Sequence, residues 1–507
     1  MITINKNIQS EILMTTMEEI VPEDSLFRKV DKYIDFTFIY DKVKDLYCDN
    51  NGRPSIDPVV LFKIVFIQAL DGIKSMRQTC KKIKVDAEYR WFLGIPFGID
   101  TPHFSTFSKN YERRFKDSDI FEEIFAEIVN QAIKYNLVDG TTFYTDSTHK
   151  KANANKNKYD DEIVSIIKER RKWLEEEINE ERIKQGRKPF EYKDEIEEKH
   201  IKVSTTDKES GYYHRDNKEK GFMYLDHRTV DDKCNMIVDC YVTKGNVHDS
   251  GPFIDRCEYI KNTFGFDIKR YAIDSGYLTL DIKKYFIENN IFGVFGYRRY
   301  GTPESRKEKS KYEYVKELDV YYEKETGEVL EYKGLIDKNG YKKYENNDKT
   351  KVVRKHIHEE WNEIFKGYRL SEEGKELYKR RKEHVERSFA DSKQNHGYRY
   401  AMYKGVLKNQ HYTWLICAAQ NMKNIAIKRS NIANIYQNTD NNTDIFKKIL
   451  IFIKNLFQIK IPVLKNWGLS TIWKKNKFTC FFLFLLLFEL IGLRLFVLFF
   501  FLYLLVG

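Results

Sequence analysis

FYTDSTHKKAN (residues 143–153), YAIDSGYLT (271–279) and RRKEHVERSFADSKQNHGYR (380–399) are the stretches on which the fold turns. The first two read as strands that end in Asp146 and Asp274, and the third as a helix that carries Glu386. Neighbouring parallel strands lie about 4.8 Å apart, so an Asp from each can bracket a pair of hard divalent cations, which prefer carboxylate oxygen. A Glu on a crossing helix completes the oxygen set that a two-metal phosphoryl-transfer site requires. Taken singly, each residue has a plainer reading, since strand-end Asp residues cap turns and helix Glu residues face solvent.

Around these residues the chain reads as a folded protein in a reducing setting. It has 507 residues, 42% of them apolar, enough for two or more domains with substantial cores. The net charge of +11 favours a polyanionic partner without specifying one. Seven cysteines are scattered with no CxxC pair, which argues for free thiols in a cytoplasmic compartment. The N-terminal MITINKNIQSEILM lacks the basic-then-apolar pattern of a signal peptide.

The first 135 residues read as helical. In PSIDPVVLFKIVFIQALDG (54–72), Asp57 and Pro58 start a helix and Gly72 stops it. SMRQTCKKIKVDAEYRWFLGI (75–95) breaks near Val85 and Asp86 into two pieces whose spacing suits a helix-turn-helix-like unit, with Arg77, Lys81, Lys82 and Lys84 on the first. TPHFSTFSKNYERRF (101–115) offers Thr101, Ser105 and Thr106 as helix-start residues. After Asp146, KKANANKNK reads as a basic loop able to follow a phosphate backbone, or as plain surface. Residues 160–200 read as a charged, solvated helical insertion. KGFMYLDHRTVD and NMIVDCYVTKG read as two antiparallel neighbours of the Asp146 strand, and His248, just past the second, is a weak site candidate. Residues 300–365 form a second insertion with a hairpin turn at 337–340, and it holds no cysteine. Lys393 follows Glu386 by two helical turns and projects from the same face, where it can hold a phosphate.

Five ordered blocks, YTDST, KGFMYLDHRTVDDK, VTKGNVHDS, AIDSGY and HVERSFADSKQNHGYRYA, resemble pieces of the DDE transposases of bacterial insertion sequences. The resemblance runs from about residue 20 to 430. It implies an α+β/α/β architecture: a helical DNA-end-binding domain (1–135) followed by a ribonuclease H-like mixed-sheet catalytic domain (136–430), with a tail beyond (431–507). Asp146, Asp274 and Glu386 would be catalytic and hold two Mg²⁺ ions, for which Mn²⁺ can substitute. Lys393, Arg381, Arg77 and Lys81 would contact DNA. Implied partners are double-stranded DNA, as terminal inverted repeats and as target, and further copies of the chain; a membrane is not expected. Tyr378 and Arg381 look like the first members of the family's Tyr-Arg-Glu-Lys signature, but Arg381 precedes Glu386 by five residues where the pattern has four, so Lys382 is an alternative. A catalytically dead DNA-binding relic is the competing reading.

FTCFFLFLLLFELIGLRLFVLFFFLYLLVG (478–507) is long and apolar enough to cross a bilayer, broken only by Glu489 and Arg494. Each of those costs about 2.5–3.5 kcal/mol at mid-membrane. A degenerate extension translated through a shifted reading frame is preferred here to a membrane anchor.

Overall fold

The computed structural model describes residues 2, 14–48, 55–215, 219–298 and 302–440. The chain divides into a unit of residues 1–430 and a second of 431–507. Of the second, only 431–440, the end of a helix, is described, so the apolar stretch 478–507 lies outside the described residues.

Helix Pro58–Leu70 forms as its sequence dictates: the Asp57 carboxylate accepts from the N–H groups of Val59 (2.7 Å) and Val60 (3.2 Å), and Gly72 leaves with φ +59°. It is buried from Leu61 to Leu70 except for Lys63, and so is a central rod rather than a surface helix. Helices Met76–Val85 and Ala87–Leu93 break at Asp86, which ends the first and caps the second through Tyr89 N–H (3.1 Å). Helix Ser105–Asn110 starts without a side-chain cap, contrary to the start expected from Thr101, Ser105 and Thr106; instead His103 Nδ1 faces Ser105 N–H at 3.3 Å. Helix Ile120–Lys134 leads into the sheet.

The described strands are β1 (Thr142–Lys151), β2 (Tyr159–Ile167), β3 (Ile196–Ser204), β4 (Gly211–Tyr213), β5 (Gly221–Asp231), β6 (Ile237–Lys244), β7 (Arg270–Ile273), β8 (Phe292–Phe295), β9 (Tyr312–Val315), β10 (Val320–Glu323), β11 (Val329–Ile336), β12 (Tyr341–Glu345) and β13 (Val352–His356). The main sheet is mixed, in the order β4-β5-β1-β7-β8, with β6 beside β4 on the outer edge of β5. β1 runs antiparallel to β5 and parallel to β7, and β7 runs parallel to β8.

Three expectations change. NMIVDCYVTKG, as β6, pairs with β5 and not with β1, because β7 takes the other edge of β1. Asp146 is not at a strand end: β1 continues to Lys151 because its polar half keeps pairing with β5 as far as Lys151↔Met223. Residues 160–200 are not one helix. β2 and β3 make an antiparallel ribbon, Tyr159↔Ser204 to Ile167↔Ile196, and only Lys172–Lys184 between them is helical. The Ile- and Val-bearing ends of that charged run favour strand, a preference that charge alternation concealed. In the second insertion β9 to β13 form an antiparallel sheet around Tyr312, Tyr321, Leu330, Tyr344 and Val353, with the expected turn joining β11 and β12.

One apolar core runs from Phe27 through the N-terminal helices and the main sheet to Ala426. Helix Val406–Asp440 closes it, as its apolar sequence suggested: Asn421 Oδ1 accepts from Ile237 N–H (2.9 Å) and Asn421 Nδ2 donates to Ile237 C=O (2.8 Å).

Candidate active site

β1 and β7 pair in parallel with Thr145 opposite Ile273, so the next residues, Asp146 within β1 and Asp274 just past the end of β7, stand at the same level. The third carboxylate arrives on helix Glu372–Arg381, which runs through a π-helical turn, Lys382–Glu386, into helix Arg387–Asn395. In a π turn the repeat is i→i+5 rather than i→i+4. Arg381 and Glu386, five residues apart, are therefore brought to one side, with Arg381 Nη1 3.2 Å from Glu386 Oε1. The extra residue in the spacing is absorbed by the wide turn, and Arg381, not Lys382, faces the carboxylates.

Arg381 also donates through Nη2 to Asp146 Oδ2, so one guanidinium joins two of the three acids. Tyr378 O–H donates to Asp274 Oδ1 at 3.4 Å. Burial pushes the Asp146 carboxyl up to about 6, and the nearby Asp274 and Asp249 add to the rise against the pull of Arg381. As the side chains lie, no three His, Cys, Asp or Glu among the described residues form a group that could hold a metal ion. The donor chemistry nonetheless fits a hard divalent cation: the converging groups are carboxylates, supplied by two neighbouring strands and a helix.

The wide turn is pinned from below. Asp232 accepts from Tyr144 O–H at 2.5 Å and from Arg380 Nη2 at 2.7 Å, while His384 lies between the carbonyls of Arg380 (2.8 Å) and Asp232 (2.7 Å). Further on, fully buried Arg228 of β5 reaches Ser388 Oγ (2.9 Å) and Ser392 Oγ (2.8 Å) and pairs with buried Asp226 at 2.7 Å. Lys393 is half-buried and donates to Thr148 Oγ1, two residues beyond Asp146 on the same face of β1. Burial lowers its pKa.

The structure thus gathers Asp146, Asp274, Glu386, Tyr378, Arg381 and Lys393. His248 is exposed and turns back to Ser250 Oγ at 2.7 Å; its neighbour Asp249 enters the site instead, accepting from Ser147 Oγ at 2.6 Å. Asp249, like Asp274, follows a strand, and that position was the signal available for it. Gly296 carried no signal, although a Cβ there would come within 2.7 Å of Tyr378 Oη and 2.8 Å of Asp274 Oδ1. Arg77 and Lys81 lie elsewhere, on the exposed face of helix Met76–Val85, with Arg77 over the Phe104 ring at 4.4 Å. Lys150, the first residue of the expected basic loop, is a buried residue of β1 that donates to Tyr398 Oη at 3.2 Å.

Residues 15–113 match the family described as Transposase domain (DUF772), and residues 338–426 match the Transposase DDE domain. The second segment holds Tyr378, Arg381, Glu386 and Lys393; Asp146 and Asp274 fall between the two. No curated protein matches the chain. Among solved structures, a cryo-EM structure of a piggyBac transposase synaptic complex with hairpin DNA is similar at 9% identity and a TM-score of 0.31, over 87% of this chain and 84% of that one.

Proposed function

The chain belongs to the DDE transposases, and from that premise we propose that it cuts DNA at the ends of an insertion sequence and joins the freed 3′ ends to target DNA. The observation that carries the reading is the level placement of Asp146 in β1 and Asp274 at the end of the parallel neighbour β7, closed by Glu386 and Arg381 from one helical segment. On this reading the mixed sheet is ribonuclease H-like, residues before about 135 recognise the element's ends, and the active species is a homo-oligomer on DNA.

Asp146, Asp274 and Glu386 would hold divalent metal, with Mg²⁺ the expected ion. Bound there, the metal would supply a nucleophile at neutral pH and charge stabilisation of the leaving oxygen. The remaining work falls to the chain's own groups. Tyr378 orients Asp274 through its hydroxyl. Lys393, held over β1 by Thr148, presents an ammonium beside the acids, where a backbone phosphate would settle. The buried Arg228 anchor keeps helix Arg387–Asn395 in place while DNA loads.

The test is cleavage of a duplex carrying the element's ends in the presence of Mg²⁺. Asp146→Asn, Asp274→Asn and Glu386→Gln should each remove most strand cleavage and leave end binding nearly intact, since the ligand is lost while the shape is kept. Full cleavage by all three variants would overturn the reading; wild-type protein that binds ends but never cuts them would favour the inactive relic.

A further inference from the structure

We propose that Arg381 is a resident counter-cation of the carboxylate cluster, and that a DNA phosphate must draw it off before a divalent ion is fully ligated, so that DNA binding and metal loading are coupled through this side chain. The inference rests on the reading of Asp146 and Glu386 as metal ligands.

A single guanidinium spans these two acids, Nη2 on Asp146 and Nη1 on Glu386. Both Asp146 oxygens already take a donor, Oδ1 from Ser147 N–H at 2.9 Å and Oδ2 from Arg381. A cation arriving between Asp146 and Glu386 would therefore meet a fixed positive charge on the same oxygens. Arg381 cannot ease this by losing its proton, because a guanidinium stays charged. It has to move.

Two further observations make movement the natural response. Arg381 is 6% exposed, and its Nε is buried without a hydrogen-bond partner. In this position the guanidinium leaves a donor unmet, whereas a phosphate with its several acceptor oxygens can take two parallel N–H groups of an Arg fork. Arg381 also stands at the entrance to the π turn, and its reach to Glu386 depends on that wide turn. Tightening the turn to an α-helical repeat would place residues five apart on different faces and break the bridge. The side chain thus has two mutually exclusive sets of acceptors, and its choice between them biases the cation site. By linkage, whatever DNA does to metal affinity, metal does equally to DNA affinity.

The test is Mn²⁺ binding to the full chain, followed by electron paramagnetic resonance of the free ion, with and without a short DNA duplex whose own Mn²⁺ uptake is subtracted. Without DNA, Arg381→Gln should bind Mn²⁺ at least about tenfold more tightly than wild type, with Arg381→Lys between them because an ammonium cannot fork across both acids. The duplex should tighten Mn²⁺ binding to wild type by a similar factor and leave Arg381→Gln unchanged. Equal or weaker Mn²⁺ binding by a folded Arg381→Gln, or a wild-type affinity indifferent to the duplex, overturns the proposal; the second arm decides even if the variant does not fold. Asp146→Asn separates the two levels. Loss of Mn²⁺ binding in that variant supports the ligand assignment on which the gate depends, and undiminished binding overturns the assignment and the gate together.

Discussion

Gly296 shows how closely the site is packed at the scale of single residues. It follows β8, and the space a side chain would need is already filled by Tyr378 Oη, Asp274 Oδ1 and Ser275 N at 2.7–2.8 Å. Its backbone is not in the left-handed region, so alanine is conformationally acceptable there and the conflict is purely steric. Gly296→Ala should displace Asp274 or Tyr378 and lower strand cleavage by about 10²-fold, the scale expected of a displacement near 1 Å at a reacting centre. The melting temperature should change little. Wild-type single-turnover cleavage in that variant would mean that Asp274 does not need its present position.

At the scale of elements, the question is what holds helix Arg387–Asn395 against β5. Asp226 and Arg228 are both fully buried and stand two residues apart on one face of β5; Arg228 Nη2 donates to Asp226 and its Nη1 to two serines of the helix. A buried pair of this kind costs desolvation and is weak support for stability by itself, but removing one partner strands a charge. Arg228→Met should destabilise the fold by about 3–5 kcal/mol. Adding Asp226→Asn should recover part of that loss, because the stranded carboxylate is then gone. Chemical denaturation of the two single variants and the double variant measures the coupling, and strictly additive losses would refute it.

For the whole molecule, the shared core makes stability depend on histidines that tie distant segments together. His411 on helix Val406–Asp440 meets Tyr111 Oη at 3.0 Å and stacks on Phe121, and burial lowers its pKa to about 4. His227 on β5 is lowered to about 4 for the same reason. An unfolded histidine titrates near 6.5, so between pH 6.5 and 4 the unfolded chain takes up protons that the fold refuses. Stability contributed by keeping these rings neutral is thus present above 6.5 and lost as pH falls toward 4. Asp231, raised to about 6 chiefly by burial, works in the opposite direction over nearly the same range, so the comparison of variant with wild type isolates the histidine. His411→Gln should be less stable than wild type at pH 7, and that deficit should shrink by up to roughly 3 kcal/mol at pH 4. Urea midpoints at the two pH values check this; a deficit that does not vary with pH would remove His411 from the acid response.

How much of this was legible in advance follows from the range of the interactions involved. Local rules were enough for the Asp57 cap, the break at Asp86 and the strand-turn-helix around Asp274, because each is set by residues a few positions apart. They were also enough to mark the five-residue offset of Arg381 as unusual, though not to resolve it: a π turn is stable here because Asp232, Tyr144 and Arg380 clamp it from the sheet side. Charge alternation misled over residues 160–200, where two distant runs satisfy each other's backbone as a ribbon. Asp249 rather than His248, the need for glycine at 296, the burial of Lys150 and the guanidinium shared by Asp146 and Glu386 were decided only by the tertiary structure. Each depends on which atoms from remote parts of the chain arrive within 2–4 Å, and a linear sequence specifies its neighbours along the chain, not those packed across it.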